Sequence, residues 1–230
     1  MHSRWLCFLC VVILGSGVAS AERIVWARGA VHFGHECPPP AQHCRIAYVP
    51  SPNHRYALSV TIAGDVPSFE VLAGGKRYPL SPGSFVEMDA LWAPDSSALS
   101  LAWNSNALME TTQIYTVDAD GVHATAMAPV QTDFVRKFPP CVGNPPPCEI
   151  DASGKDYNYL TVAWSSPHTV VMMAEVPGSS RFGANLGGVT GYEVDARTGA
   201  ILRVLKPREF KRRWQWRMGW NFNVADASGG

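Results

Sequence analysis

The residues best suited to chemistry in this chain gather towards its N-terminal end. His32, His35, Glu36 and Cys37 fall within six positions, and His43-Cys44 follows soon after. Neutral imidazole and thiolate are good donors to zinc or copper, and spacings of two to five residues recur in such sites. His32, His35 and His43 are therefore the candidate metal ligands. A competing use of the cysteines works against a metal. Cys37 and Cys44 close a C-x6-C motif with three prolines inside (CPPPAQHC), and Cys141 and Cys148 close a second (CVGNPPPC). Four cysteines allow three connectivities. The local pairs Cys37–Cys44 and Cys141–Cys148 are favoured, because proline-stiffened loops keep their ends together and lower the entropic cost of closure. Disulfides would withdraw the thiols from coordination and leave the histidines as surface loop residues. On this reading neither metal nor cofactor is expected.

Compact catalytic signatures are missing. The chain has no G-x-S-x-G elbow, no H-E-x-x-H helix and no phosphate-cradling glycine loop. His35-Glu36 runs straight into Cys37-Pro38-Pro39, which cannot continue as a zinc-binding helical turn. Scattered Ser, His and Asp residues define no triad without geometry. No catalytic residue is assigned, and a hydrolase or an enzyme-inhibitor domain would need a site assembled from loops.

The C-terminal segment has the most unusual pattern. Phe210, Trp214, Trp216, Met218, Trp220 and Phe222 fall on even positions, Lys211, Arg213, Gln215 and Arg217 on odd ones, and Arg212 is the exception. Alternation with period two predicts a strand over 210–222, with the indoles inward and Lys211, Arg213 and Arg217 forming a cationic outer face. Residues 203–217 carry seven of the 18 Lys and Arg beyond residue 21, so the rest is acidic by seven (18 acids against 11 bases) although the whole chain is neutral. The plain interpretation is a closing strand whose stems and indoles fill the core. The functional one is a binding surface for an acidic protein, a glycan or an anionic surface. The stretch FKRRWQWRM also resembles the core of lactoferricin, a cationic peptide that acts on anionic membranes; the likeness covers nine residues and is one of pattern. With no net charge, nothing points to nucleic acid.

These groups must be held by a framework, and the framework is legible. Met1-His2-Ser3-Arg4, an apolar run from Trp5 to Leu14, and Ala19-Ser20-Ala21 have the three parts of a secretory signal over 1–21. The apolar run is too short to cross a bilayer, and no later stretch predicts a transmembrane segment. Residues 22–230 then form a single all-β domain, with a Pro/Cys-rich insertion at 129–157, exported to the periplasm or beyond. Short β-branched and aromatic runs cut by Pro, Gly and Asx turns recur from Arg45 to Leu205. They fall into three units: IAYVPSPNHRYALSVT with SFEVLAGGKRYPL, DALWAPDSSALSLAW with QIYTVDADGVHATAMAP, and TVAWSSPHTVVMMAE with GYEVDARTGAILRVL. A period near 40 residues with four strands per unit is the pattern of propeller blades. The predicted fold is a small or incomplete β-propeller-like stack of antiparallel sheets, with a β-sandwich as the alternative. Trp92 and Trp164 should occupy equivalent, largely buried places on neighbouring sheets.

The second unit resembles the repeat of TolB-type β-propellers and of the propellers in prolyl-oligopeptidase-like enzymes. Trp92, Pro94, Asp95, Ile114, Tyr115, Val117, Asp118 and Gly121 match that repeat in place, the other units match more weakly, and the likeness covers about residues 45 to 205. It implies a fold and a bacterial envelope location, but no function, because such propellers host many. The matching Asp and Gly residues read as hairpin loops. The expectation is an exported, non-catalytic interaction module.

Overall fold

A computed structural model describes residues 27–34, 43–63, 66–83, 85–104, 110–139, 157–176 and 187–217. The three sequence units become three antiparallel meanders. The first sheet is β2 (His43–Pro50), β3 (Tyr56–Ala63), β4 (Val66–Ala73) and β5 (Lys76–Leu80), side by side in chain order. The second is β6 (Glu87–Trp92), β7 (Ala98–Asn104), β8 (Glu110–Val117) and β9 (Val122–Ala124). A short N-terminal strand, β1 (Val31–Gly34), pairs with the outer edge of β6 and makes it five-stranded. The third is β10 (Asn158–Ser166), β11 (Thr169–Glu175), β12 (Val189–Asp195) and β13 (Ile201–Leu205). The fold is all-β, and none of the three sheets closes on itself.

Asx chemistry makes the turns between strands. The Asp118 carboxylate accepts the backbone N–H groups of Asp120 and Gly121, and the Asp195 carboxylate those of Arg197 and Thr198. Those bonds, with the Thr198 hydroxyl foremost, hold the Asp195 carboxyl below its ordinary range. Gly199 closes the second turn at φ +73°, where a Cβ would sit 1.9 Å from the Ala126 carbonyl oxygen. Only glycine fits there.

The middle sheet is covered on both faces, which is why β7 is buried along its whole length. On one side Leu99, Leu101 and Trp103 pack with Leu58, Val60, Phe69 and Val71 of the first sheet. On the other, Ala98 and Ile114 meet Tyr159, Val170 and Met172 of the third. Ser100 and Thr161 share a hydroxyl–hydroxyl hydrogen bond of 2.5 Å across that junction, and Thr112 donates to the Tyr159 carbonyl. Each junction also carries one indole latch. Trp92 Nε1 donates to the carbonyl of Val49 at 3.0 Å, and Trp164 Nε1 to that of Leu91 at 3.3 Å. Val49 and Leu91 are each the penultimate residue of their sheet's leading meander strand. The two tryptophans thus play equivalent parts, although Trp92 is buried and Trp164 only partly so.

Two helices complete the fold, and the second corrects a reading of the sequence. The helix α1 (Ala128–Lys137) occupies the start of the segment read as an insertion, whose residues 140–156 lie outside the described residues, with Val130 and Phe134 one turn apart and fully buried. Over residues 210–217 the predicted strand is instead helix α2 (Pro207–Trp214) followed by a 3-10 turn, Gln215–Arg217, while Met218, Trp220 and Phe222 of that prediction lie outside the described residues. Pro207 at the first helical turn, Glu209 beside it and Lys211, Arg212 and Arg213 in the last turn are the expected helix signals. Phe210 and Trp214, one turn apart, lie against the far face of the third sheet, with Leu160, Val162, Val171, Met173 and Leu205. Phe210 seats on Gly191, where a Cβ would come within 2.2 Å of its ring. Period two and period 3.6 share the step of four residues. Arg212 distinguishes them, because on a helix it falls on the face opposite Phe210 and Trp214. Among the described residues no helix is long and apolar enough to cross a membrane.

Candidate functional site

His32 and Asp89 are cross-strand partners in the β1–β6 pair, with Nδ1 and Oδ1 2.7 Å apart. An imidazole oriented by a carboxylate is the arrangement a general base requires. Here both side chains are sealed, 5 % and 3 % exposed. The pair therefore fastens the four-residue strand β1 to its neighbour, as a hydrogen bond between buried polar partners does. His43 stands exposed at the start of β2, and His35 lies outside the described residues. Among the described residues, no three His, Cys, Asp or Glu side chains come together as a metal ion would require. Cys44 takes part in a disulfide. Cys37, Cys141 and Cys148 lie outside the described residues, as do residues 1–21, so the pairing and the export signal stay expectations of the sequence.

A polar cluster ties α1 to the near face of the third sheet. The Tyr192 hydroxyl donates to Asp133 at 3.0 Å, Lys137 and Arg136 pair with the same carboxylate, and the Lys137 ammonium lies 5.1 Å from the Tyr192 ring centre. Burial works to raise the Asp133 pKa, but the hydrogen bonds from Lys137, Tyr192 and Arg136 outweigh it and hold the carboxyl below its ordinary range. Burial also pushes the Tyr192 hydroxyl up, with Asp133 adding to the shift. Every charge in this cluster has a partner within it, so its work is to fix the helix.

The surface of α2 differs, because part of its charge is left over. The three cations expected to form the binding face separate here. Arg213 is half-buried and lies 3.4 Å from both Glu193 and Glu209. Lys211 is partly buried and engaged. Only Arg217 of the three stands exposed, its guanidinium stacked 4.2 Å from the ring centre of Trp216. Arg203 is taken up by Glu209. Arg208 and Arg212 were not expected on this face. Both are exposed, and neither makes an ion pair among the described residues. With Trp216 they stand at i, i+4 and i+8, which is one stripe along the helix and its 3-10 extension. Trp216 is 54 % exposed, yet it is fixed, because its Nε1 donates to the Arg213 carbonyl at 2.9 Å. The turn that carries it is anchored in turn by the Arg28 backbone N–H, which donates to the Arg217 carbonyl at 2.7 Å.

No protein-family model matches the chain, and no curated protein or solved structure is significantly similar to it.

Proposed function

We propose that this chain is an exported, non-catalytic interaction module of the bacterial envelope, which engages an anionic partner through the exposed face of α2. The observation that carries the reading is the sorting of charge on one short helix. Glu193 and Glu209 neutralise Arg203 and Arg213, while Arg208, Arg212 and Arg217 face solvent around a fixed, exposed indole. Exposed guanidinium groups clustered in this way suit carboxylate, sulfate or phosphate partners. The secretory pattern of 1–21 and the blade-like repeat units support the envelope location.

Retention of the exported chain on an immobilised polyanion such as heparin tests this reading. Retention should weaken as salt rises, because exposed charges are screened within about 8–10 Å at physiological ionic strength. The double variant Arg208→Glu, Arg212→Glu should elute at markedly lower salt with its thermal transition unchanged. Equal retention of the variant and the parent would remove this surface from consideration.

A further inference from the structure

We infer that the anionic partner of α2 is a linear acidic glycan, a chain of uronate or sulfated sugars, and not a lipid bilayer; this rests on the reading just given. Three observations lead there. First, an interfacial helix binds a membrane by burying its apolar face in the headgroup region. The apolar face of α2 is already used: Phe210 is fully buried and Trp214 is packed against the third sheet. Among the described residues, what α2 and its 3-10 extension leave outside is polar groups with the single indole of Trp216, a small apolar surface for insertion. Second, two of the exposed cations, Arg208 and Arg212, form a line, with Lys206 exposed before them and Arg217 beyond. Arg208 and Arg212 are one helical turn apart, about 6 Å along the axis. Glu209 and Glu193 lie to one side of that line, where both meet Arg213 and Glu209 also takes up Arg203. A narrow row of charge bordered on one side by acidic residues suits a single polyanionic chain better than a plane of headgroups, which would also meet the glutamates. Third, Trp216 is pre-fixed as a plate. Its N–H is committed to the Arg213 carbonyl, so what it offers is its ring. Arg217 stacks over that ring at 4.2 Å. With Arg217 over one face, the C–H face of a sugar ring would pack on the other, while the neighbouring guanidinium groups pair with the acid group of the same or the next sugar.

The test uses the full exported chain with polygalacturonate, with neutral dextran, and with vesicles of phosphatidylglycerol and phosphatidylcholine. Polygalacturonate should bind, while dextran and the vesicles should not. Arg208→Glu with Arg212→Glu should abolish binding. Trp216→Ala should weaken it about tenfold, and Trp216→Phe should restore much of the loss. Trp216 is more than half exposed, so its replacement leaves the fold in place, which an unchanged thermal transition verifies. If every polyanion binds alike and Trp216→Ala has no effect, the glycan inference falls while the anionic-partner reading stands. Vesicle binding that depends on Trp216 would also overturn it, in favour of a membrane. If no anionic probe binds, both readings fall together.

Discussion

The two ends of the sheet stack are finished in different ways. The outer face of the first sheet carries Arg45, Tyr48, Thr61, Ser68, Glu70 and Arg77, a polar set of which Arg45, Tyr48, Ser68 and Arg77 are exposed, while the small Ala57 and Ser59 between them are buried. Its contacts are local: Thr61 and Ser68 hydroxyls 2.7 Å apart, Arg45 over the Tyr48 ring, and an Arg77–Glu70 ion pair. The outer face of the third sheet is apolar, and α2 covers it with Phe210 and Trp214. An open row of sheets has two terminal faces to satisfy, and this chain makes one polar and caps the other. The cap does not copy a sheet. Trp92 and Trp164 each pass an N–H to the preceding sheet, whereas the buried Trp214 Nε1 finds no acceptor among the described residues. A helix can bury the face, but it offers no strand edge to latch.

The comparison breaks most directly at Phe210. Replacing a fully buried Phe by Ala costs about 3–5 kcal/mol. Phe210→Ala should lower stability by that amount in chemical denaturation. It should also loosen α2, so that the third sheet's apolar face promotes self-association in light scattering. A fully stable, monomeric variant would show that the cap is dispensable. A smaller version of the same break adds a methyl under the ring. Gly191→Ala places a Cβ where Phe210 now sits, 2.2 Å from a ring carbon, and overpacking of this kind costs about 1–3 kcal/mol.

Part of this was legible in the sequence, and the reasons are physical. The strands of the three units show because half-buried β-strands force alternation and Asx-Gly turns force their own residues. Trp92 and Trp164 could be paired by position, since each precedes a turn at the end of an apolar run. The helix α1 was hidden by its brevity, with only Val130 and Phe134 marking its buried side. The helix α2 was misread because Phe210 and Trp214 satisfy both periods, and the capping pattern from Pro207 to Arg213 was the signal that separates them. The binding face followed that error. A strand groups Lys211, Arg213 and Arg217, whereas a helix groups Arg208, Arg212 and Trp216. Which arginines the glutamates neutralise is a matter of tertiary contact, since Glu193 lies on β12, and no local pattern reveals it.

The near face of the third sheet sharpens the contrast, since α1 is fastened by charge as well as by packing. Asp133→Asn should cost about 1 kcal/mol at neutral pH, the scale of a partly solvated charged hydrogen-bond network. The sign follows from the depressed carboxyl. A group whose pKa is lower in the folded state contributes stability above its unfolded value and loses it as pH falls through the folded one. The gap between parent and variant should therefore close on acidification below the usual carboxylate range. A pH-independent gap, followed by thermal unfolding from neutral to acid conditions, would assign the effect to packing instead.

The smallest effect belongs to the polar end. Arg77 Nη1 and Glu70 Oε2 are 2.9 Å apart on neighbouring strands, with the arginine side chain 70 % exposed. Exposed pairs of this kind are worth about 0.2–1 kcal/mol, because water screens the charges and two flexible side chains must be held still. A double-mutant cycle with Arg77→Ala and Glu70→Ala should return a coupling in that range, shrinking in high salt. The contrast with Phe210 is then quantitative. The first sheet's outer face tolerates loss of its contacts because water replaces them, whereas the third sheet's outer face has no such substitute. Thr61→Val with Ser68→Val tests the same logic in reverse. It removes the hydroxyl pair and lays two adjacent apolar side chains on the terminal face. The chain should stay folded but begin to self-associate, read as concentration-dependent mass in light scattering. If it remains monomeric at high concentration, polarity is not what ends the stack on that side.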